Sequence, residues 1–510
     1  MGCEELREQK DQIRRGGGEL HRRKQKEKGK LTARERLSLL FDEGRFTETN
    51  VFLEHRTTAF GMDAVQAPSD GVVTGYGLVE GRTVCAFAED FTVLGGSIGE
   101  MHTKKIVQTQ KMADRLQCPI VGLYDSVGAR IQEGVLGLAG LAEVFYWNTR
   151  LSGRVPQISA IMGPCAGGAV YSPALTDVIF QVKHTAQMFL TGPDVVKKAI
   201  GETATMEDLG GSELHAKKSG VIHFEEENDE TCLHDIRRLL SYLPQNASES
   251  PLRAPEKSRR ASNLRIEIPE AQTRAYDMRN FILSLADADS LMEMQREFAP
   301  NILTCLCRLD GRVVGVVASQ PSWMAGCLDL DACDQGARFV RFCDCYDIPL
   351  LTLVDVPGFM PGTKQEAGGI IRHGAKLLYA YSEASVPKIT VIVRKAFGGA
   401  YIAMCSKGLG ADLVYALPTA SIAVLGADSA VDILYRKELK TALDPVRRAE
   451  ELKAGYEQEF SNPYRAAKEG FVSDIVEANQ LRSRLIFDYS VLSARQRTAA
   501  EHIQHGNIPL

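Results

Sequence analysis

The 510-residue chain lacks several features that would place it in particular classes of protein. No window approaches the roughly 20 apolar residues of a membrane-spanning helix, and the N-terminus lacks the apolar region of a secretory signal. A net charge of −5 gives no overall attraction for nucleic acid. The 12 cysteines include only two tight pairs, Cys305–Cys307 and Cys343–Cys345, and neither has the C-x₂₋₄-C spacing of structural zinc sites. These absences predict a cytoplasmic protein with reduced thiols, no bound metal and no nucleic-acid partner.

The size and composition indicate an ordinary globular protein with more than one core. Hydrophobic residues make up 44% of the chain and charged residues 25%, and a chain of this length fits two domains of about 200–250 residues each. The first 36 residues are rich in lysine and arginine, from Arg14 to Arg36. Such a segment can bind a phosphate-rich ligand or partner, or can form a solvated helix, and the sequence leaves both interpretations open.

The most informative feature is an internal repeat. Pro119 and Asp125 recur as Pro349 and Asp355, 230 residues later in both cases. The segment Ala166–Ala169 recurs as Phe397–Ala400, 231 residues later. A collinear repeat of this length predicts two copies of one domain, each with a Gly-Gly turn after an apolar strand.

Short apolar runs alternate with helical patterns in both halves. The segments Ile120–Leu123 and Leu350–Val354 are typical of strands, whereas Met101–Leu116 and Ala332–Tyr346 are typical of helices. This alternation predicts an α/β fold in each half. The Pro- and Ser-rich stretch 244–258 has no apolar periodicity. We therefore predict domains at 1–250 and 263–510 joined by a linker at 251–262, a helix over 480–504 and an extended tail at 505–510.

Each Gly-Gly turn is a candidate oxyanion site. The first N–H groups of a helix have no acceptor within the helix, and glycine lets another molecule approach them closely. Such donors could stabilise the charge that develops on a thioester oxygen. Tight packing of a strand against a helix explains the glycines equally well, and duplication alone would repeat a purely structural turn.

Other candidate catalytic groups are weaker. Asp125 and Asp355 follow strands and could act as bases or cap the following loops, and capping is the commoner role. Ser126 lacks the Gly-x-Ser-x-Gly context of a hydrolase nucleophile. The pair Gly75 and Gly77 opens no helix, so a dinucleotide site is not predicted there. Lys111 precedes a methionine without the flanking pattern of a biotin acceptor and is interpreted as a surface residue.

Several longer motifs carry a resemblance to a known family. They are Gly29–Arg36, Asp70–Gly75, Asp90–Ser97, Ala129–Gly134 and Met162–Ala174 in the first half, and Gly326–Asp329, Ala337–Asp344, Val354–Phe359, Gly368–Lys376 and Lys395–Tyr401 in the second. With these segments the chain resembles the β-type carboxyltransferase subunits of biotin-dependent acyl-CoA carboxylases, such as propionyl-CoA carboxylase. It is equally similar to the α subunit of methylmalonyl-CoA decarboxylase and the large subunit of transcarboxylase. The resemblance covers nearly the whole chain.

The resemblance implies a fold, an assembly and a set of site residues. The fold would be two tandem crotonase-like domains (the ClpP/crotonase ββα superhelix), assembled as a hexamer that is a trimer of dimers. The amides of Gly167 and Gly168 would hold the thioester oxygen, and those of Gly399 and Ala400 the ureido oxygen of biotin. The wider set implied for acyl-CoA adds Ala166, Ala129 and Arg130. The set implied for biotin adds Phe397, Gly398 and Tyr401.

The implied reaction transfers a carboxyl group between biotin and a short-chain acyl-CoA, with propionyl-CoA and methylmalonyl-CoA favoured. Carboxybiotin would release CO₂, the biotin anion would remove the α-proton, and the enolate would attack CO₂. The chain contains no biotinyl domain or ATP-grasp motif, so biotin would arrive on a partner biotin carboxyl carrier protein. A further partner would be a biotin carboxylase subunit or a membrane decarboxylase subunit.

Two departures from the family pattern keep alternatives open. Val127 stands where the family usually has glycine, and a β-branched residue restricts the backbone of that loop. Ile402 stands where many propionyl-CoA carboxylases have aspartate, at a position that influences acyl-chain choice in relatives. The alternatives are an acetyl-CoA or longer acyl-CoA carboxyltransferase, or a non-catalytic acyl-CoA-binding subunit.

Overall fold

The computed structural model describes residues 2–262, 264, 268–494 and 505–509. These residues fall into two compact units. Unit 1 contains residues 2–251 together with 505–509, and unit 2 contains the described residues from 252 to 494. No helix in the described ranges combines the length and the apolar character needed to cross a membrane.

The core of unit 1 is a mixed β-sheet. Its strands are β1 (Phe46–Thr49), β2 (Val72–Val79), β3 (Arg82–Glu89), β4 (Ile120–Ser126), β5 (Gln157–Ala166), β6 (Val178–Val182), β7 (Gln187–Phe189) and β8 (Phe224–Glu226). The strand order is β1-β2-β3-β4-β5-β6-β8, and β7 pairs with the end of β5. The first three strands are antiparallel, and the others run parallel. Helices cover the sheet because parallel strands need crossover connections.

The helices of unit 1 include three short ones at the N-terminus. They are α1 (Cys3–Arg14), α2 (Glu19–Glu27), α3 (Ala33–Leu40), α4 (Glu100–Leu116), α5 (Val135–Leu151), α6 (Tyr171–Ala174), α7 (Pro193–Ile200), α8 (Met206–Gly210), α9 (Ser212–Leu214) and α10 (Asp229–Tyr242). Glycines at 16–18 separate α1 from α2. Thr32 starts α3 through a capping box with Glu35.

Unit 2 repeats this architecture. Its strands are β9 (Met292–Met294), β10 (Ile302–Leu309), β11 (Arg312–Ser319), β12 (Leu350–Val356), β13 (Lys388–Phe397), β14 (Leu413–Ala416), β15 (Ser421–Ala423) and β16 (Asp474–Ile475). The order β9-β10-β11-β12-β13-β14-β16, with β15 on β13, is the order of unit 1. The predicted α/β class and the ββα repeat are therefore confirmed.

The helices of unit 2 match those of unit 1 around the sheet and extend beyond it near the C-terminus. They are α11 (Met278–Leu285), α12 (Leu330–Cys345), α13 (Thr363–Gly368), α14 (Ile370–Glu383), α15 (Gly398–Ala403), α16 (Ala427–Leu434), α17 (Arg436–Thr441), α18 (Pro445–Glu459), α19 (Pro463–Lys468) and α20 (Ala478–Leu492). The predicted helix over 480–504 corresponds to α20 in its first part. Residues 495–504 of that prediction, and Leu510 of the predicted tail, lie outside the described residues.

Both candidate turns lie where a central strand leaves its sheet. The pairing of β4 with β5 shifts register between Tyr124 and Ser126, and that of β12 with β13 shifts between Val354 and Val356. The last residues of β5 and β13 then pair with β7 and β15 instead. These irregularities open the carboxyl edge of each sheet, which is where ligands bind in many α/β folds.

Candidate functional site

The turn at Gly167 and Gly168 ends β5 and faces open space. Gly167 has a φ of +69°, a conformation that favours glycine, and a Cβ placed there would meet no atom within 4 Å. Gly168 is exposed. A 3₁₀ turn over Gly167–Val170 leads directly into α6. The first N–H groups of such a turn have no acceptor within it, so Gly167 and Gly168 are placed as candidate donors, and their role at a thioester oxygen stays a prediction.

The corresponding turn in unit 2 has the same backbone. Gly398 has a φ of +59°, Gly399 is exposed, and α15 starts at Gly398. A Cβ on Gly398 would approach the Val424 carbonyl oxygen at 3.2 Å, and one on Gly399 would approach the ring of Phe359 at 3.6 Å. A side chain at Gly398 would thus be disfavoured by the positive φ and would crowd the Val424 carbonyl, whereas one at Gly399 would only contact the Phe359 ring.

The helices that follow these turns are short. Helix α6 has four residues and α15 has six. A macrodipole builds up along a helix, so these helices contribute little of it. We therefore attribute the donor strength of both turns to direct N–H groups rather than to helix dipoles.

The predicted biotin-side residues surround the second turn. Phe397 is half-buried, with its ring against Gly426. Ala400 is fully buried. Burial raises the pKa of Tyr401, which is therefore neutral near pH 7. The Ile402 side chain is 47% exposed, so a substitution there changes the surface beside the turn without opening the core.

The loop after β4 supports the first turn. Val127 donates its amide to the Gly95 carbonyl at 3.0 Å, and Gly128 donates its amide to Ser126 Oγ at 3.0 Å. Gly128, at φ +97°, takes the left-handed conformation in place of Val127. The valine is thus accommodated without backbone strain, and the amides of Val127 and Gly128 are used inside the loop.

The two other residues predicted for acyl-CoA in this loop differ in exposure. Ala129 is exposed. Arg130 is 3% exposed, and its guanidinium donates to Asp70 Oδ1 at 2.6 Å and Glu133 Oε1 at 2.8 Å. It also donates to the Ser97 side chain and carbonyl. The Arg130 side chain therefore holds the loop in place, and its contact with acyl-CoA stays a prediction.

A strained tripeptide lies beneath each strand-end loop. Leu94, Gly95 and Gly96 all have φ between +50° and +65°, and Met324, Ala325 and Gly326 repeat this with φ from +46° to +79°. A non-glycine residue in this region costs free energy and often marks a functional site. In both units the third residue of the tripeptide is a glycine, Gly96 or Gly326, and it packs under the carbonyl of the strand-end aspartate, Asp125 or Asp355. The sequence analysis identified the segment Asp90–Ser97 as a motif but did not predict this backbone conformation.

The strand-end aspartates are neither exposed bases nor caps of the following loops. Asp125 is fully buried and accepts from Lys30 Nζ at 2.6 Å, Arg36 Nη1 at 2.8 Å and Gln25 Nε2 at 2.9 Å. Arg36 also donates to Asp229 at 2.7 Å. Burial lowers the pKa of Lys30, and the nearby Asp125 offsets part of that effect. Part of the basic N-terminal segment is thus buried in ion pairs.

Asp355 is neutralised differently. It is fully buried and accepts from Arg394 Nε at 2.8 Å. Arg394 belongs to β13 and also donates to the carbonyls of Ala271 and Arg274 at 2.9 Å. Its guanidinium lies 4.6 Å from the Tyr276 ring centre, a cation–π distance. The sequence analysis did not predict the ion pair between Arg394 and Asp355, although Arg394 directly follows the apolar run Ile389–Val393.

A nucleophilic serine and a metal site are the other kinds of catalytic group to consider in the described ranges. Ser126 is fully buried and donates its hydroxyl to the Gly96 carbonyl at 2.7 Å, so it is not placed as a nucleophile. In residues 2–262, 264, 268–494 and 505–509, no three or more His, Cys, Asp or Glu side chains are grouped to hold a metal ion. What the geometry offers in each unit is a glycine turn at a strand end with one exposed glycine, Gly168 or Gly399.

A cavity of about 660 Å³ opens in unit 1 between the N-terminal helices and the loop at Thr92–Gly95. Its lining includes Arg15, His21, Gln12, Thr92 and Gly95. Gly95 accepts the Val127 amide, and Gly128 packs under the Ala166 carbonyl. The cavity is therefore one loop away from Gly167, and its volume is that of small-molecule sites.

Comparison with known proteins identifies the family of the chain. The carboxyl transferase domain family matches residues 24–508. The chain is 52% identical to the methylmalonyl-CoA decarboxylase subunit alpha of Propionigenium modestum, over 99% of this chain and 98% of that protein. It is 53% identical to the propionyl-CoA carboxylase carboxyltransferase subunit of Haloferax mediterranei, over 99% of both chains.

A solved structure is similar over the same extent. Transcarboxylase 12S, described as a hexamer assembly with methylmalonyl-CoA and methylmalonic acid bound, superimposes with a TM-score of 0.94 at 48% identity. The match covers 99% of this chain and 98% of that one. The resemblance predicted from the motifs is confirmed. The chain belongs to the carboxyl transferase domain family.

Proposed function

We propose that this chain is the carboxyltransferase component that moves a carboxyl group between biotin, carried by a partner protein, and a short-chain acyl-CoA. The preferred pair is propionyl-CoA and methylmalonyl-CoA, the acyl-CoAs named for its relatives. The observation that carries the proposal is the pair of glycine turns at equivalent strand ends, Gly167–Gly168 and Gly398–Gly399, each with one exposed glycine. Two half-sites suit a transfer between two carbonyl compounds. Residues 1–250 and 263–510 would form the two carboxyltransferase domains.

The first turn would act on the thioester. The amides of Gly167 and Gly168 would donate to its oxygen, which becomes negative as the α-proton leaves. Oxyanion donors of this kind are each worth about 3 kcal/mol of transition-state stabilisation. Ala166 and Ala129 would line the acyl group, and Arg130 would hold the loop.

The second turn would bind biotin. Biotin supplies the transferred carboxyl group and a basic ring nitrogen when it is bound. The ring of Phe359 lies beside Gly399, 3.6 Å from the position of an added Cβ, and the half-buried Phe397 and Tyr401 flank the glycines in the chain. The residues present therefore fit the bicyclic group, with Gly399 and Ala400 as donors to its ureido oxygen.

The cavity in unit 1 would receive the nucleotide end of coenzyme A. That end is anionic, and Arg15 and His21 are among the lining residues. Their position one loop from Gly167 would let the thioester arm reach the turn. The basic N-terminal segment would thus serve a phosphate-rich ligand with some of its residues and bury others in the ion pairs of Asp125.

An oligomer is also part of the proposal. Apolar side chains are exposed beside both turns: Ile131, Val135, Leu136 and Leu138 in unit 1, and Ile371 and Tyr379 in unit 2. Large exposed apolar patches commonly mark interfaces. We expect a hexamer, the state described for transcarboxylase 12S, together with a biotin carboxyl carrier protein and a biotin carboxylase or membrane decarboxylase subunit. A cytoplasmic location stays a prediction.

Carboxyl transfer from methylmalonyl-CoA to free biotin, or to a biotinylated carrier, tests the proposal. Label exchange with propionyl-CoA is expected, and no exchange with acetyl-, propionyl- or butyryl-CoA would contradict it. An Ile402→Asp variant should change relative kcat/KM among these acyl-CoAs. The alternative of a non-catalytic binding subunit rested on Val127. Its support weakens because the Val127 amide bonds within the loop and leaves the open turn untouched.

A further inference from the structure

The C-terminal tail lies on unit 1, although the preceding described residues belong to unit 2. Asn507 is 2% exposed. It donates its amide to Ser152 Oγ at 2.8 Å and its side-chain Nδ2 to Asp177 Oδ1 at 3.0 Å. A Cβ on Gly153 would lie 2.1 Å from the His505 carbonyl oxygen. Unit 1 thus contains a fitted seat for the tail, with a carboxylate that accepts from the asparagine.

The seat is connected to the first residue of the strand that leads to the proposed thioester site. Asp177 is 2% exposed, and its other oxygen, Oδ2, accepts the Gln157 amide at 2.8 Å. Gln157 is the first residue of β5, the strand that ends at the Gly167 turn. Asn507 and the start of β5 therefore share one buried carboxylate.

From Gln157 the polar contacts continue to the helix after the turn. Gln157 Nε2 donates to the Asn148 carbonyl at 2.9 Å, and Asn148 Nδ2 donates to Gln157 Oε1 at 3.1 Å. Asn148 Oδ1 accepts from Ser172 Oγ at 3.0 Å, and Ser172 Oγ also contacts Tyr124 Oη at 2.9 Å. Ser172 belongs to α6, immediately after Gly167–Val170. All these side chains are at most 4% exposed.

We infer that Asn507 is a positioning residue for the Gly167–Gly168 turn. The chain's own C-terminal peptide occupies a built site, and Asp177, Gln157, Asn148 and Ser172 pass its position to α6. Buried polar networks of this kind fix one arrangement because each bonded member is costly to leave unpaired. Asn507 takes part through its two N–H donors, whereas its side-chain oxygen is buried with no hydrogen-bond partner among the described residues. The inference rests on the proposed function, since it assigns the tail a role in binding the thioester oxygen.

In the described part of unit 2, the first contact of this network recurs, with a lysine in place of the glutamine. Lys388, which corresponds to Gln157, donates its amide to Asp412 Oδ2 at 2.8 Å. Its ammonium reaches the carbonyls of Tyr381 and Ala384 at the end of α14. The lysine thus braces helix and strand from within unit 2. Loss of the tail should therefore disturb the first turn and leave the Gly398 turn unchanged.

The test compares the full chain with a chain that ends at residue 504, with Asn507→Ala and with Asn507→Asp. Hydrogen exchange of residues 166–175 is measured by mass spectrometry, with residues 397–403 as the internal reference. We expect faster exchange only at 166–175. We also expect a fall in kcat for carboxyl transfer of roughly ten- to hundredfold, because small displacements of catalytic donors cost that much, with KM for free biotin unchanged. Ile508→Ala, at a tail residue that is 65% exposed, is the matched control and should change nothing.

A peptide added in trans separates positioning from simple loss of stability. Millimolar His-Gly-Asn-Ile-Pro-Leu should restore kcat and protection in the shortened chain, and the same peptide with Ala for Asn should not. If the shortened chain does not fold, the Asn507→Asp variant gives the result, since it keeps the tail and sets two carboxylates together. Full kcat with unchanged exchange at 166–175 would overturn the inference. Absence of carboxyl transfer by the full chain would instead overturn the proposed function, and the exchange data would still report on the tail.

Discussion

The two units solve the same electrostatic problem with different residues. Each buries an aspartate, Asp125 or Asp355, at the end of the strand beside its glycine turn. In unit 1 the neutralising charges, Lys30 and Arg36, come from the N-terminal segment. In unit 2 the main charge is Arg394 at 2.8 Å, with the Lys395 ammonium further away at 3.9 Å, and both belong to the neighbouring strand. What duplication retained is the buried carboxylate and its need for a partner.

The matching positions in β5 and β13 explain why the two units use different cations. Arg394 corresponds to Gly163, 231 residues earlier. A Cβ on Gly163 would lie 1.9 Å from Asp125 Oδ1 and 2.5 Å from Lys30 Nζ. Glycine therefore leaves the space that the Lys30 ammonium occupies. Each cation also lies 4.6 Å from an aromatic ring centre, Lys30 from Phe91 and Arg394 from Tyr276.

The largest expected effect comes from removing one guanidinium in each unit. Arg36→Met leaves Asp125 and Asp229 short of a partner, and Arg394→Met does the same to Asp355. Breaking a buried ion pair in this way costs about 3–5 kcal/mol. The two tryptophans, Trp147 in unit 1 and Trp323 in unit 2, permit single-tryptophan versions for urea unfolding followed by fluorescence.

Arg36→Met should lower the unfolding midpoint reported by Trp147 more than that reported by Trp323, and Arg394→Met should do the reverse. Arg36→Lys serves as the control, since it keeps the charge but loses the forked contact with both carboxylates. Equal shifts at both probes for both variants would show that neither ion pair belongs to its unit alone.

A second substitution tests the space at Gly163. Gly163→Ala forces a methyl group against Asp125 and Lys30, and overpacking of this kind costs about 1–3 kcal/mol. Gly455→Ala is the matched control, because Gly455 lies in α18 with no atom within 4 Å of the added Cβ. Alanine is favoured there by helix propensity. Thermal unfolding should separate the two variants, and a stable Gly163→Ala protein would refute the packing account.

These contrasts also show how far the sequence could lead. The repeat around Asp125 and Asp355, with its alternating apolar runs, predicted two α/β domains, and the strand order confirms the duplication. The glycines at 167–168 and 398–399 could be placed at strand ends because a local pattern encodes them. Their role as donor sites stays a prediction.

The partners of Asp125 were beyond such reasoning. Lys30 and Arg36 lie about ninety residues before it in the chain, and a basic run does not reveal which of its members are buried. The Asn507–Asp177 contact spans 330 residues and gives no periodic signal. The partner of Asp355 did leave a signal that the sequence analysis did not use: Arg394 follows the apolar run Ile389–Val393, and a charged residue in such a strand indicates a buried partner.

The outer strands of the two sheets differ as well, and this gives a pH-dependent prediction. Burial, with Asp235 adding to it, raises the pKa of the Glu226 carboxyl in β8 to about 7, whereas Asp474 in β16 is exposed. The folded state thus binds this proton more tightly than the unfolded state. The stability contributed by the neutral carboxyl is fully present below about pH 4.5 and is lost as pH rises through about 7.

Glu226→Gln keeps a neutral side chain of the same shape at every pH. We expect the variant and the parent to have similar free energies of unfolding at pH 5, and the variant to be more stable by about 1–3 kcal/mol at pH 8. Urea unfolding between pH 5 and 8, followed by Trp147, measures the difference. A constant gap across this range would rule out titration of Glu226 as its source.

The smallest expected effect concerns the N-terminal segment of unit 1, which forms ion pairs with Asp125 and is proposed to contact acyl-CoA as well. Arg15 is exposed at the cavity of unit 1, so a contact with a coenzyme A phosphate would be partly solvated and worth about 0.5–1 kcal/mol. Arg15→Ala should therefore raise KM for acyl-CoA roughly two- to fivefold with kcat unchanged, since such a contact is equal in ground and transition states. Lys24→Ala, at an exposed residue of α2 outside the cavity lining, should leave KM as it is. Because the contact is electrostatic, the gap between the two variants should narrow as salt is added. An equal rise in KM for both variants would indicate that the segment attracts anions in general and that the cavity has no specific role.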